Sequence, residues 1–149
     1  MKKTIKVFVF CTFMVVTFAA NVFCESKIAE KSCSVYFNFA KSDLTDTSRE
    51  ILNEFVRGLK GLEIDQVMIT GYTCSVGTKE RNLELSKKRA NAVYEYMKNA
   101  GVGKKELYMI VARGQLEYIV SNEIEDKKKV NRQVKVQVFY KKPVETEKQ

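Results

Sequence analysis

Arg89 falls four residues after Leu85 and four before Val93, a spacing that puts it on or beside the apolar stripe of a helix. A guanidinium in that position is costly unless something pairs with it. Its planar fork of N–H donors is shaped for a carboxylate. The partner is therefore either an anionic ligand or a nearby acid, unless the side chain snorkels out to solvent. Cys74 lies a few residues before the same segment. A thiol there is a small apolar filler, a weak hydrogen-bond partner or a nucleophile. The chain contains no histidine, which removes Ser-His-Asp and Cys-His catalysis and every His-containing zinc site. The cysteines Cys11, Cys24, Cys33 and Cys74 show no C-x-x-C spacing, so no metal and no cofactor are expected. A catalytic cysteine needs a base and an orienting group, and only Lys or Glu could serve. The sequence is not read as an enzyme.

The elements that must position these residues are legible in outline. Val35, Phe37 and Phe39 alternate with Tyr36 and Asn38, which predicts a first strand. Thr47-Ser48-Arg49-Glu50 has the form of a capping box, with Asp43 or Thr45 as earlier caps. Ile51, Leu52, Phe55, Val56 and Leu59 then give one apolar face. Residues 66–72 read as a second strand and 79–99 as a second helix, with Gly101 placed for a left-handed cap. Residues 107–112 read as a third strand. The charged segment 123–129 reads as a loop. Alternation at Val134, Val136 and Val138 predicts the last strand. The order β-α-β-α-β-β predicts an α/β (α+β) sandwich, one mixed sheet with two main helices packed on one face. The two strand-helix-strand passages imply parallel neighbours. On that geometry Cys33 and Cys74 lie at opposite ends of strands about 17 Å long. A disulfide needs Cα atoms within about 7 Å, so both thiols are expected free.

The 149 residues suit one domain with short extensions. Lys2, Lys3 and Lys6 precede an uncharged run from Val7 to Ala20, too short to span a bilayer but fitting a signal-peptide core. The expected organisation is a signal peptide at 1–24, a polar lead-in at 25–33, a folded domain at 34–140 and a disordered tail at 141–149. Cleavage near Glu25 is the preferred reading, with lipidation of Cys24 or an uncleaved anchor as alternatives. Loss of residues 1–24 lowers the net charge from +8 to +5. That modest excess reads as a solvated surface, and an exported chain is not expected to bind nucleic acid.

The stretch from Gly71 to Ala90, GYTCSVGTKERNLELSKKRA, resembles the signature of the OmpA C-terminal-like (OmpA/MotB/Pal-type) family of peptidoglycan-binding domains, roughly G-H-T-D-x-x-G-x-x-x-x-N-x-x-L-S-x-x-R-A. Gly71, Thr73, Gly77, Asn82, Leu85, Ser86, Arg89 and Ala90 fall in register. Asn131-Arg132-Gln133-Val134 resembles the family's closing N-R-R-V. The resemblance runs from about Val35 to Phe139 and agrees with the fold expected from the pattern.

The resemblance implies a non-catalytic periplasmic module that recognises the diamino acid of the peptidoglycan stem peptide. Arg89 would hold a carboxylate of that residue. Cys74 stands in the slot where the family has an aspartate for the ligand's amine, and Ala40 where it commonly has Asn or Asp. Asn82 would order the loop and face the ligand, or else cap the helix. Thr73 and Gly77 would shape the turn. Arg132 is a second carboxylate contact or a salt-bridge partner. The expected location is the periplasm or the periplasmic face of the outer membrane. The two substitutions leave a second reading open, in which a degenerate domain of this family binds another envelope protein or serves a structural role.

Overall fold

The computed structural model describes residues 27–103, 108–115 and 125–142. The N-terminal segment with Cys11 and Cys24, residues 104–107 and 116–124, and the tail from 143 lie outside the described residues. The elements are β1 (Ile28–Tyr36), α1 (Asp46–Arg57), β2 (Glu63–Tyr72), α2 (Lys79–Asn99), β3 (Tyr108–Gly114), α3 (Glu125–Asn131) and β4 (Gln133–Lys141). They form one mixed four-stranded sheet in the order β1-β4-β2-β3. α1 and α2 cover one face of it. Val35, Ile69 and Val136 from the sheet meet Leu52 from α1 and Val93 and Met97 from α2, all fully buried.

Three expectations need correction. β1 starts at Ile28 and ends at Tyr36, so most of the expected polar lead-in is strand. Among the described residues it is an edge strand paired only with β4, and its exposed run Glu30, Lys31 and Ser32 breaks the alternation. Phe37 leaves the strand for the core, and Phe39 is exposed. Next, β1 and β2 are not neighbours, because β4 lies between them and is antiparallel to both. Only β2 and β3 make the expected parallel pair, joined through α2. Lastly, part of the charged loop is α3. Its Glu and Lys residues are good helix formers, but they carry no apolar period that would betray a helix.

α2 has the bounds expected of it. Thr78 is the N-cap and its side chain accepts from the Arg81 N–H at 3.3 Å. At the other end the Gly101 N–H donates to Lys98 O and the Val102 N–H to Met97 O. That is a Schellman closure, and Gly101 has the positive φ of 78° it requires. Of the caps expected for α1, the structure uses Thr45, which lies two residues before Thr47 and accepts from the Ser48 N–H at 3.1 Å.

The seam between α2 and β2 is unusually close. A Cβ added at Gly71 would lie 2.2 Å from the Ser86 carbonyl oxygen. Only glycine lets strand and helix approach this far, and the approach sets where the rest of α2 points. Gly71→Ala is expected to lower stability by about 2–3 kcal/mol through overpacking, read as a lower denaturant midpoint at unchanged m-value.

Candidate functional site

At the C-terminal end of β2 the chain turns through 73–78 into α2, and a cavity of about 160 Å³ opens beside that turn. All six residues expected to form a site line it: Ala40, Thr73, Cys74, Asn82, Arg89 and Arg132. Phe39, Val76, Gly77, Arg81 and Leu85 complete the wall. The same end of the sheet is locked by three hydrogen bonds. Ser86 Oγ donates to Leu83 O at 2.7 Å and accepts from the Gly114 N–H at 3.0 Å. The Thr73 N–H donates to Gly114 O at 2.8 Å. Helix, turn and β3 are thus fastened to one another just behind the cavity.

Arg89 has no exposed surface, so it does not snorkel. Its partners among the described residues are backbone carbonyls rather than an acid. Nε donates to Lys41 O at 2.8 Å, one terminal nitrogen to Tyr72 O at 3.1 Å and the other to Asn38 O at 3.1 Å. The Phe37 ring lies 5.2 Å from the guanidinium carbon, a cation–π contact. One side chain therefore ties the 38–41 turn to the end of β2. Burial lowers its pKa to about 10, with Cys74 acting to raise it and the Arg132 charge to lower it further. It remains a cation at neutral pH. Carbonyl dipoles hold the guanidinium without neutralising it, which leaves its charge available to an anion in the cavity.

Asn82 does not cap α2, since Thr78 does. It lies inside the first turn, and its Nδ2 donates to Val76 O at 3.1 Å and to Gln115 Oε1 at 2.6 Å. It braces the turn against the residue that follows β3. Thr73 is buried, and its hydroxyl has no hydrogen-bond partner among the described residues. Cys74 and Cys33 are both free thiols. Burial pushes the Cys33 thiol up to about 12, so it stays protonated and inert. Arg132 lies between α3 and β4, and its carbonyl accepts from the Phe37 N–H at 2.8 Å. This brings the closing motif against the end of β1.

Ala40 has a positive φ of 53°. Asn and Asp enter that region far more easily than other side chains. The preference for Asn or Asp in the resembling family thus has a backbone reason as well as a chemical one. Ala40→Gly is expected to raise stability by about 1 kcal/mol, seen as a higher melting temperature.

Arg81 was not among the expected site residues, although Arg81, Leu85 and Arg89 recur every four residues along one stripe. It is exposed at the mouth of the cavity. A larger groove, of about 510 Å³, opens at the far end of α2 between Val56, Leu59, Ile64 and Val102. Lys60 is its one charged lining residue among those described.

The OmpA family model matches residues 36–132. Outer membrane protein A of Bordetella avium is 27% identical over 72% of this chain and 55% of its own length. The peptidoglycan-associated lipoprotein of Haemophilus influenzae is 35% identical over 50% of this chain and 48% of its own. The chain therefore spans about half the length of these curated relatives. Among solved structures, the peptidoglycan-associated lipoprotein from Burkholderia pseudomallei superposes with a TM-score of 0.60 at 28% identity, covering 70% of this chain and 88% of that one. The C-terminal domain of Helicobacter pylori MotB superposes with a TM-score of 0.64 over 75% of this chain and 86% of its own, at 16% identity, a likeness of fold alone.

Proposed function

Because the chain belongs to the OmpA family, we propose that it is a non-catalytic peptidoglycan-binding module whose ligand enters the cavity between the 73–78 turn and Arg89. The observation that carries this reading is the Arg89 cage. A fully buried guanidinium is held by three carbonyls, with no acid among its described partners, in the wall of an open cavity. Such a group is already oriented and desolvated before the ligand arrives, so it loses little freedom on binding. A carboxylate of the stem peptide is the anion it suits. Arg81 at the mouth adds attraction over a longer range. Phe39, Val76 and Leu85 give the ligand's aliphatic part a surface to cover.

The basic and apolar N-terminal segment supports export and action in the periplasm or at the periplasmic face of the outer membrane. Relatives named as outer membrane and peptidoglycan-associated proteins support the same location. The test is co-sedimentation of the purified protein with intact peptidoglycan. It should pellet with the wall at low salt, and less so as salt screens the arginines. A folded protein that stays in the supernatant would sink the reading and favour a domain that binds another envelope protein, a role for which the cysteine at position 74 argues.

A further inference from the structure

Among the described lining residues of the cavity, the charged groups are all cations. Arg89 forms part of the wall, Arg81 sits at the mouth and Arg132 lies beside them, close enough for its charge to act on Arg89. No Asp or Glu is among the described lining residues. None of the hydrogen-bonding groups on offer among the described lining residues is a carboxylate. They are the Cys74 side chain, the buried Thr73 hydroxyl, which has no partner among the described residues, and Asn82, whose amide nitrogen is already engaged by Val76 and Gln115.

An ammonium entering this cavity would meet like charges in a shielded site and no carboxylate among the described lining residues, a combination that disfavours its charged form. An amide N–H carries no charge and needs only a neutral acceptor. A buried hydroxyl without a partner gains from such a donor.

Resting on the reading of this cavity as the stem-peptide site, we infer that it selects a carboxylate ligand whose neighbouring amine bears no charge. Two sources supply that chemistry. One is a diamino acid whose side-chain amine is acylated, as it is when two stem peptides are joined through it. The other is a third residue that keeps the carboxylate and has no amine. The free-ammonium form is the disfavoured ligand.

The experiment is calorimetric titration of the purified protein at pH 7 with three synthetic stem peptides. They differ only in the side chain of the third residue, which carries a free amine, an acetylated amine or hydrogen in its place, with the carboxylate kept. Both neutral peptides should bind about tenfold or more tightly than the free amine. Equal binding of the two assigns selection to the absence of charge. Tighter binding of the acetylated peptide adds an amide contact in the wall. Cys74→Asp, which supplies an anion, should reverse the order in favour of the free amine.

A free amine that binds wild type as tightly as the acetylated peptide overturns the inference and leaves the binding reading intact. So does a folded Cys74→Asp protein that keeps the acetyl preference. If none of the peptides binds while the protein still pellets with the wall, this cavity is not the contact and the inference falls. If pelleting is lost as well, the functional reading falls with it.

Discussion

Arg89→Ala is expected to lose both stability and binding. The side chain satisfies the carbonyls of Asn38, Lys41 and Tyr72 and lies over Phe37. Truncation removes three hydrogen bonds beside a new void; Asn38 O keeps the Lys41 N–H, while a buried carbonyl left without a partner costs about 1–3 kcal/mol. Water entering from the cavity offsets part of this, so a loss of about 4 kcal/mol is expected. At this chain length that lowers the melting temperature by about 10 °C or more. Sequence reasoning alone leads to a different expectation, a binding mutant with a near-normal melting curve, because periodicity cannot show that the guanidinium ties the 38–41 turn to the end of β2. Arg89→Lys keeps the charge but replaces the fork by a single ammonium, and should fall between wild type and Arg89→Ala in thermal melts. A melting temperature for Arg89→Ala within a degree or two of wild type would contradict the cage as drawn.

Arg81→Glu separates the two roles. Arg81 is exposed at the cavity mouth, and its described hydrogen bond is made by its backbone N–H to Thr78 Oγ1. It is the third residue after the Thr78 cap, so Glu there completes a capping box and suits the helix dipole. Stability should hold or rise by about 0.5 kcal/mol. Affinity for a carboxylate ligand should fall about a hundredfold, because an attraction becomes a repulsion at the entrance. The difference between the two proteins should shrink as salt is added. Retention of wild-type affinity by the variant would remove Arg81 from the site.

How far the sequence could be read depended on whether the signal was local. α2 was legible because a long amphipathic run and a glycine at the C′ position agree, although the cap the sequence reading offered was Asn82 and not Thr78. That Thr73, Cys74, Asn82 and Arg89 would share one cavity wall was legible for a related reason. The motif lies on one turn and the first three turns of one helix, so fixed spacing nearly determines placement. β1 was misplaced because an edge strand with an exposed polar run lacks clean alternation. The insertion of β4 between β1 and β2 is a long-range pairing, and no window of sequence carries it. The left-handed backbone of Ala40 was hidden for the opposite reason, since alanine gives no sign of positive φ. Arg81 left a visible signal in its four-residue spacing to Leu85 and Arg89, yet position at the surface made it look like ordinary solvated charge.

The most direct test of the central claim is a nuclear magnetic resonance titration with a soluble muropeptide, following backbone amides and arginine Nε–H groups of the isotope-labelled protein. Saturable shifts should be largest at the Nε–H groups of Arg89 and Arg132 and at the amides of Thr73, Cys74 and Gly77. The amides of β1 and the far end of α2 should stay in place. Saturable binding with shifts confined to the open face of the sheet or to the groove near Val102, and none at Arg89, would contradict it.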